Sequence, residues 1–95
     1  MKVKITALAE EDVLVAASFY SEKGMELPFA LFDDLNHAYL LISENPEIGS
    51  PTERGNRKVL LRRFPYAIIY RVEPTECLVV AVSHYRRRPQ HWVDR

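Results

Sequence analysis

The apolar residues of the first half of the chain recur at the spacing of amphipathic helices. A first stripe, repeating every three or four residues, predicts one helix and consists of Ala9, Val13, Ala16 and Tyr20. A second stripe predicts a longer helix and consists of Leu27, Leu31, Leu35, Ala38 and Ile42. Asn45-Pro46 ends the second helix, since proline disfavours helix in the residue before it. The short link around Gly24 predicts an antiparallel helical hairpin, whose acidic residues form a solvated outer face.

Strand patterns lie on both sides of this hairpin. Residues 2–6 alternate polar and apolar side chains, which predicts a short strand, and Thr6 can cap the helix that follows. Later the period changes to two, and residues 58–64, 66–72 and 78–85 predict three more strands. Their links are too short for parallel crossovers, so these three strands are antiparallel neighbours. The expected fold is α+β in the order β-α-α-β-β-β: a small twisted antiparallel sheet with the N-terminal helical hairpin packed on one face.

The length and the charge bound the function. The 95 residues suffice for a single domain over 1–95, and the apolar and charged fractions, 47% and 27%, are those of a globular protein. The net charge is zero, which by itself argues against a polyanionic partner. The two halves of the sequence nevertheless carry opposite net charges. Residues 1–53 contain three bases and ten acids, whereas residues 54–95 contain ten bases and three acids. This asymmetry predicts an acidic helical layer and a basic sheet surface.

The lone cysteine excludes an intrachain disulfide and a cysteine-based metal site. Cys77 lies in an apolar run and is interpreted as a buried core residue. The first residues lack the apolar region of a signal peptide, and no run approaches the ~20 apolar residues of a membrane span. A cytoplasmic protein without membrane contact is therefore expected. The three glycines form no phosphate-binding loop and no residues have metal-ligand spacing, so neither a cofactor nor a metal is expected.

The residues that can carry chemistry concentrate in the sheet half. Together with Trp92, six arginines are candidates for target binding: Arg62, Arg63, Arg71, Arg86, Arg87 and Arg88. Arginine interleaved with aromatic side chains is typical of a single-stranded RNA surface and equally of a protein interface. No Ser/His/acid set stands out. If the chain is an enzyme, metal-free RNA cleavage fits, with arginine stabilising the phosphate and His or Tyr moving protons.

Two segments and the order of elements together carry a resemblance to a known family. The segments are LRRFPYAIIYRV at residues 61–72 and AVSHYRRRPQHW at residues 81–92. Over essentially its whole length, the chain resembles the RelE/ParE toxin superfamily of type II toxin–antitoxin systems. The resemblance implies a small cytoplasmic bacterial toxin, held in a hetero-oligomer by a neutralising antitoxin. RelE-like members cut messenger RNA on the ribosome without metal, whereas ParE-like members inhibit DNA gyrase.

The resemblance also implies roles for particular residues if the chain is a nuclease. Lys58 falls where RelE-like nucleases carry a basic strand residue, and Arg87 falls where they carry a phosphate-contacting arginine. His84 and Tyr85 lie near positions where some relatives use His or Tyr. The candidate catalytic set of a nuclease is therefore Arg87, His84, Tyr85 and Lys58.

Two departures from the nuclease pattern favour the ParE-like branch. Leu60 replaces a lysine, and Ala67 replaces an arginine that follows the position of Tyr66. The lost arginine would be a charge-assisted phosphate donor, a class worth about 2–4 kcal/mol in a transition state. We therefore expect a ParE-like toxin that acts by binding gyrase. A ribosome-dependent messenger RNA endoribonuclease is the alternative, and a non-toxic relative that still binds its antitoxin is a further one.

Overall fold

The computed structural model describes residues 1–86 and 92–95. Two helices follow the first strand: α1 (Ala7–Ser21) and α2 (Leu27–Glu44). The strands are β1 (Lys2–Ile5), β2 (Ser50–Pro51), β3 (Asn56–Leu60), β4 (Tyr66–Val72) and β5 (Glu76–His84). They form one sheet in the order β1-β5-β4-β3-β2. Neither helix among the described residues is both long and apolar enough to cross a membrane.

The predicted α+β fold and order of elements are confirmed, but the sheet is mixed and not antiparallel throughout as expected. β3, β4 and β5 are antiparallel neighbours, as their short links require. β1 pairs with β5 in parallel, with Val3 opposite Cys77 and Ile5 opposite Val79. The hairpin between β1 and the later strands is long enough to allow either direction, so the sequence leaves the direction of β1 open. The two-residue strand β2, predicted as a turn, pairs with β3 at the other edge.

The helical hairpin packs on one face of the sheet through the two predicted stripes. Thr6 caps α1 by accepting a hydrogen bond from the N–H of Ala9 at 3.1 Å. Ala9 and Ala16 are buried, and their small side chains let α1 lie close to β5. The α2 residues buried against the same core are Leu31, Leu35, Ala38 and Ile42. The sheet contributes to this inner core Tyr66, Ile68, Tyr70, Cys77, Val79 and Val82.

The prediction was wrong over residues 61–64, because β3 ends at Leu60 instead of continuing as a strand. The carboxylate of Asp34, buried on α2, accepts hydrogen bonds from three successive backbone N–H groups. These belong to Arg62, Arg63 and Phe64, at 3.2, 2.8 and 3.2 Å. The N–H groups therefore face α2 and not a neighbouring strand, so the chain bends before β4.

A bulge in β5 gives the sheet a second buried face. The register shifts between Ile69 and Tyr70, which makes Val80 the extra residue of β5. Side chains turned away from the helices form an outer cluster of Ala67, Ile69, Val80 and Ala81. Trp92 packs against this cluster.

The last described residue, Arg95, bonds to the edge of β5 beyond the end of β1. The Val82 N–H donates to the Asp12 carboxylate at 3.0 Å, and the Arg95 guanidinium donates to the Val80 carbonyl at 3.1 Å. Arg95 and Asp12 also form an ion pair at 2.7 Å. Asp12 thus holds Arg95 against α1.

Candidate functional site

The division of charge along the sequence is also a division in space among the described residues. The exposed acids of the helical hairpin are Glu10, Glu11, Glu22, Glu26, Asp33 and Glu44. Lys2 and Lys4 belong to the acidic half of the sequence, but β1 brings them to the sheet. Their register partners and those of Lys58 place all three lysines on the face of the sheet away from the helices.

The two departures from the nuclease pattern are neighbours on this outer face. Leu60 in β3 lies directly opposite Ala67 in β4. The Leu60 side chain is 52% exposed, while Ala67 is buried in the outer cluster. Lys58 lies two residues before Leu60 on the same face and is exposed. The surface beside Lys58 is therefore aliphatic at both positions where a nuclease would carry a cation.

Further basic side chains lie on the same face, towards the other end of β4. Register pairing places Lys4, Leu78 and Arg71 in one row across β1, β5 and β4. The Arg71 Nε donates to the Asn56 Oδ1 at 3.3 Å, which orients its guanidinium. Lys58 lies diagonally from Arg71, a separation of about 7–8 Å in antiparallel strands. We call this surface the outer patch and define it by Lys4, Lys58, Leu60, Arg71 and Leu78.

The structure brings together two described members of the predicted catalytic set, His84 and Tyr85, whose ring centroids are 6.5 Å apart, but separates Lys58 from His84. The half-buried ring of His84 packs edge-on against Tyr66 in the inner core, with ring centroids 5.1 Å apart. Lys58 lies on the opposite, outer face of the sheet. Arg87 lies outside the described residues, so its predicted role stays a prediction.

Two of the predicted target-binding arginines lie in the bend between β3 and β4. Arg62 and Arg63 are exposed and line a cavity of about 310 Å³ together with Asp33 and His37. The Arg62 Nη1 lies 3.0 Å from the His37 Nε2, so His37 orients an arginine and is not merely a surface residue. Asp33 in the same cavity opposes a purely anionic ligand.

The other predicted target-binding residues are spread over the tail and the sheet. The Arg86 guanidinium lies 6.0 Å from the centroid of the exposed Tyr85 ring, near the end of β5. Arg71 belongs to the outer patch, and Trp92 covers the outer cluster beside it. Arg88 lies outside the described residues, as Arg87 does. Of the predicted residues that the structure describes, Arg71, Trp92 and Lys58 share the outer face.

The sequence prediction missed an apolar groove in the helical hairpin. This hairpin groove encloses about 230 Å³ and is lined by Ile5, Glu10, Val13, Leu14, Phe32, Leu35, Asn36 and Tyr39. Leu14 is 65% exposed and Phe32 is 37% exposed. The hairpin surface thus combines the exposed acidic side chains that the sequence predicted with an apolar groove that it did not predict. The signal in the sequence is the presence of large apolar residues outside the spacing of the buried stripes.

Tyr39, which lines the groove, has a raised pKa. Burial, followed by the negative charge of Glu10, raises the pKa of Tyr39 from 10.0 to about 12. Because the folded protein holds the phenol proton more tightly than the unfolded chain, this stabilisation is complete below pH ~10 and disappears as the pH rises to ~12. We expect Tyr39→Phe to flatten the loss of stability over this range, measured by denaturant unfolding at successive pH values. An unchanged slope would contradict the assignment.

Comparison with known proteins identifies the class. A family described as "ParE toxin of type II toxin-antitoxin system, parDE" matches residues 3–89. The chain is therefore a toxin of the type II class, as its resemblance implied. It belongs to the ParE toxin family.

A solved structure agrees on the fold. It is titled "Chromosomal ParDE TA system from P. aeruginosa", and one of its chains superposes with a TM-score of 0.78 at 24% sequence identity. The match covers 87% of this chain and 94% of that one. No curated protein matches this chain.

Proposed function

We propose that this toxin acts in the cytoplasm by binding DNA gyrase, and that a cognate antitoxin neutralises it. The main support is the pairing of Leu60 with Ala67 on the outer face, where a phosphate-cleaving site would need donors. Exposed aliphatic surface bordered by lysine and arginine suits contact with a protein. The chain then acts by docking on its target and needs no chemistry of its own.

The alternative is ribosome-dependent cleavage of messenger RNA. It requires a proton-transfer group and cations to converge on one phosphate. His84 and Lys58 lie on opposite faces of the sheet, so these two do not form such a centre. An endoribonuclease built on this fold would use Arg87 with His84 or Tyr85, without Lys58.

Induction of the toxin in cells without its antitoxin tests the proposal. We expect growth to stop, plasmid DNA to lose negative supercoils and ribosome-bound messages to stay intact. Messages cut in the ribosomal A site, with cutting stopped by Arg87→Ala, would establish the endoribonuclease instead. Unimpaired growth at a verified protein level would identify a non-toxic relative that only binds antitoxin.

The hairpin groove is the surface that we assign to the antitoxin. Its lining is apolar and its surroundings are acidic, so the complementary partner is an amphipathic helix with large apolar residues flanked by basic ones. We expect Leu14→Glu to weaken antitoxin binding roughly 30- to 100-fold, because it places a charge beside Glu10 in an apolar site. Titration calorimetry with the purified antitoxin measures this.

The neighbouring residue provides the control for this prediction. Val15 is 68% exposed, close to the value for Leu14, but does not line the groove. Val15→Glu should therefore bind antitoxin within about twofold of the wild type. Equal losses in the two variants would mean that the helix surface in general, and not the groove, binds the antitoxin.

A further inference from the structure

We propose that the outer patch docks on an acidic segment of the target protein, an inference that rests on the proposed function. The hairpin groove and the outer patch lie on different sides of the sheet, so the antitoxin contact just assigned does not account for the patch. Leu60 is 52% exposed beside Lys58 at one end of the patch, and Leu78 is half-buried beside Arg71 at the other end. This aliphatic surface has the composition of an interface core with a cationic rim.

The outer face of the sheet is net basic. Within residues 1–86 and 92–95, no carboxylate forms an ion pair with Lys4, Lys58 or Arg71. Glu76 is the acid that the register places on this face of β5, opposite Lys2 and diagonal to Lys4 and Arg71. The cations of this face, Lys2, Lys4, Lys58 and Arg71, thus outnumber the carboxylate that the strand register places among them. A partner that offers carboxylates around an apolar residue complements this pattern.

The same observations favour a polypeptide over a nucleic acid. Proteins that hold single strands stack the bases on exposed aromatic rings between their cations. Leu60 is the exposed apolar side chain of the patch, and Trp92, an aromatic residue that the structure describes on this face, is packed against the outer cluster. An exposed aliphatic side chain gains by burial against apolar protein surface, whereas it offers a base no stacking partner.

Two matched pairs of variants test the proposal with the full-length toxin and purified gyrase. Lys58→Glu and Leu60→Ser change the patch. Lys23→Glu and Leu40→Ser make the same changes on the helices, where Lys23 is exposed and Leu40 is 56% exposed. We expect each patch variant to bind gyrase about tenfold more weakly and each control to stay within about twofold. Salt should weaken the wild type more than Lys58→Glu.

The outcomes separate this inference from the proposed function. If the wild type does not bind gyrase, the proposed function fails first. If the wild type binds and both patch variants bind equally well, the outer patch is not the docking surface. If Lys58→Glu instead abolishes binding to DNA alone and leaves binding to gyrase unchanged, the patch is a nucleic-acid surface and the proposal is overturned. Binding of the antitoxin to every variant, measured in parallel, shows that the fold is intact.

Discussion

Replacing Asp34 with alanine should destabilise the protein by about 3 kcal/mol, a large effect for one polar helix residue. The Asp34 carboxylate accepts three backbone hydrogen bonds, from Arg62, Arg63 and Phe64. Asp34→Ala leaves these N–H groups without their acceptor, and each buried unpaired donor costs about 1–3 kcal/mol. Partial access of water to the exposed arginines reduces the sum. In a domain of this size, the melting temperature should fall by roughly 12–24 °C.

Asp33 provides a control with the same chemistry at the adjacent position. Asp33 is exposed and forms no hydrogen bond to the bend among the described residues. Asp33→Ala should therefore change stability by less than about 0.5 kcal/mol. Thermal unfolding followed by circular dichroism compares the two variants directly. Similar melting temperatures for both would show that the Asp34 carboxylate does not hold the bend.

Replacing Tyr70 with phenylalanine should destabilise the protein by about 2 kcal/mol. The Tyr70 side chain is fully buried, and its hydroxyl accepts from the Gly49 N–H at 2.9 Å and donates to the Pro46 carbonyl at 2.7 Å. These bonds fasten the loop after α2 onto β4. A Cβ at Gly49 would lie 2.8 Å from the hydroxyl oxygen, so only glycine lets the loop approach this closely. Tyr70→Phe removes both bonds and leaves the Gly49 N–H unpaired.

The matched control for Tyr70→Phe is the same change at an exposed tyrosine. Tyr85 is 43% exposed, so its hydroxyl is available to water in the folded and unfolded states. Denaturant unfolding should give a stability for Tyr85→Phe within about 0.5 kcal/mol of the wild type. If Tyr70→Phe falls in the same range, the two hydrogen bonds contribute nothing net and the loop is held by packing alone.

Local periodicity predicted the helices and the antiparallel order of the last three strands, because helix stripes and short links are local constraints. The sequence did not predict the parallel pairing of β1, because the helical hairpin after β1 allows either strand direction. The bend after Leu60 was also missed. Its cause is a contact between Asp34 and residues about 30 positions later, and an alternating apolar pattern contains no sign of that contact.

The candidate site was also predicted only in part, because its geometry depends on contacts between residues that are distant in the sequence. Leu60 and Ala67 were recognised as departures, but only the register shows that they face each other on one surface. From the sequence alone, His84 and Lys58 could belong to one catalytic centre. The bulge in β5 turns His84 towards the helices, whereas Lys58 lies on the outer face. The hairpin groove depends on how the two helices pack against each other. The apolar stripes predicted its buried residues but not its exposed ones, Leu14 and Phe32.

The most direct measurement of the central claim is the supercoiling of relaxed plasmid by purified gyrase in the presence of the toxin. We expect inhibition that rises with toxin concentration, is relieved by an equimolar amount of the cognate antitoxin, and is weakened by Lys58→Glu but not by Lys23→Glu. Full gyrase activity at saturating toxin, with a protein preparation that still binds its antitoxin, would contradict it.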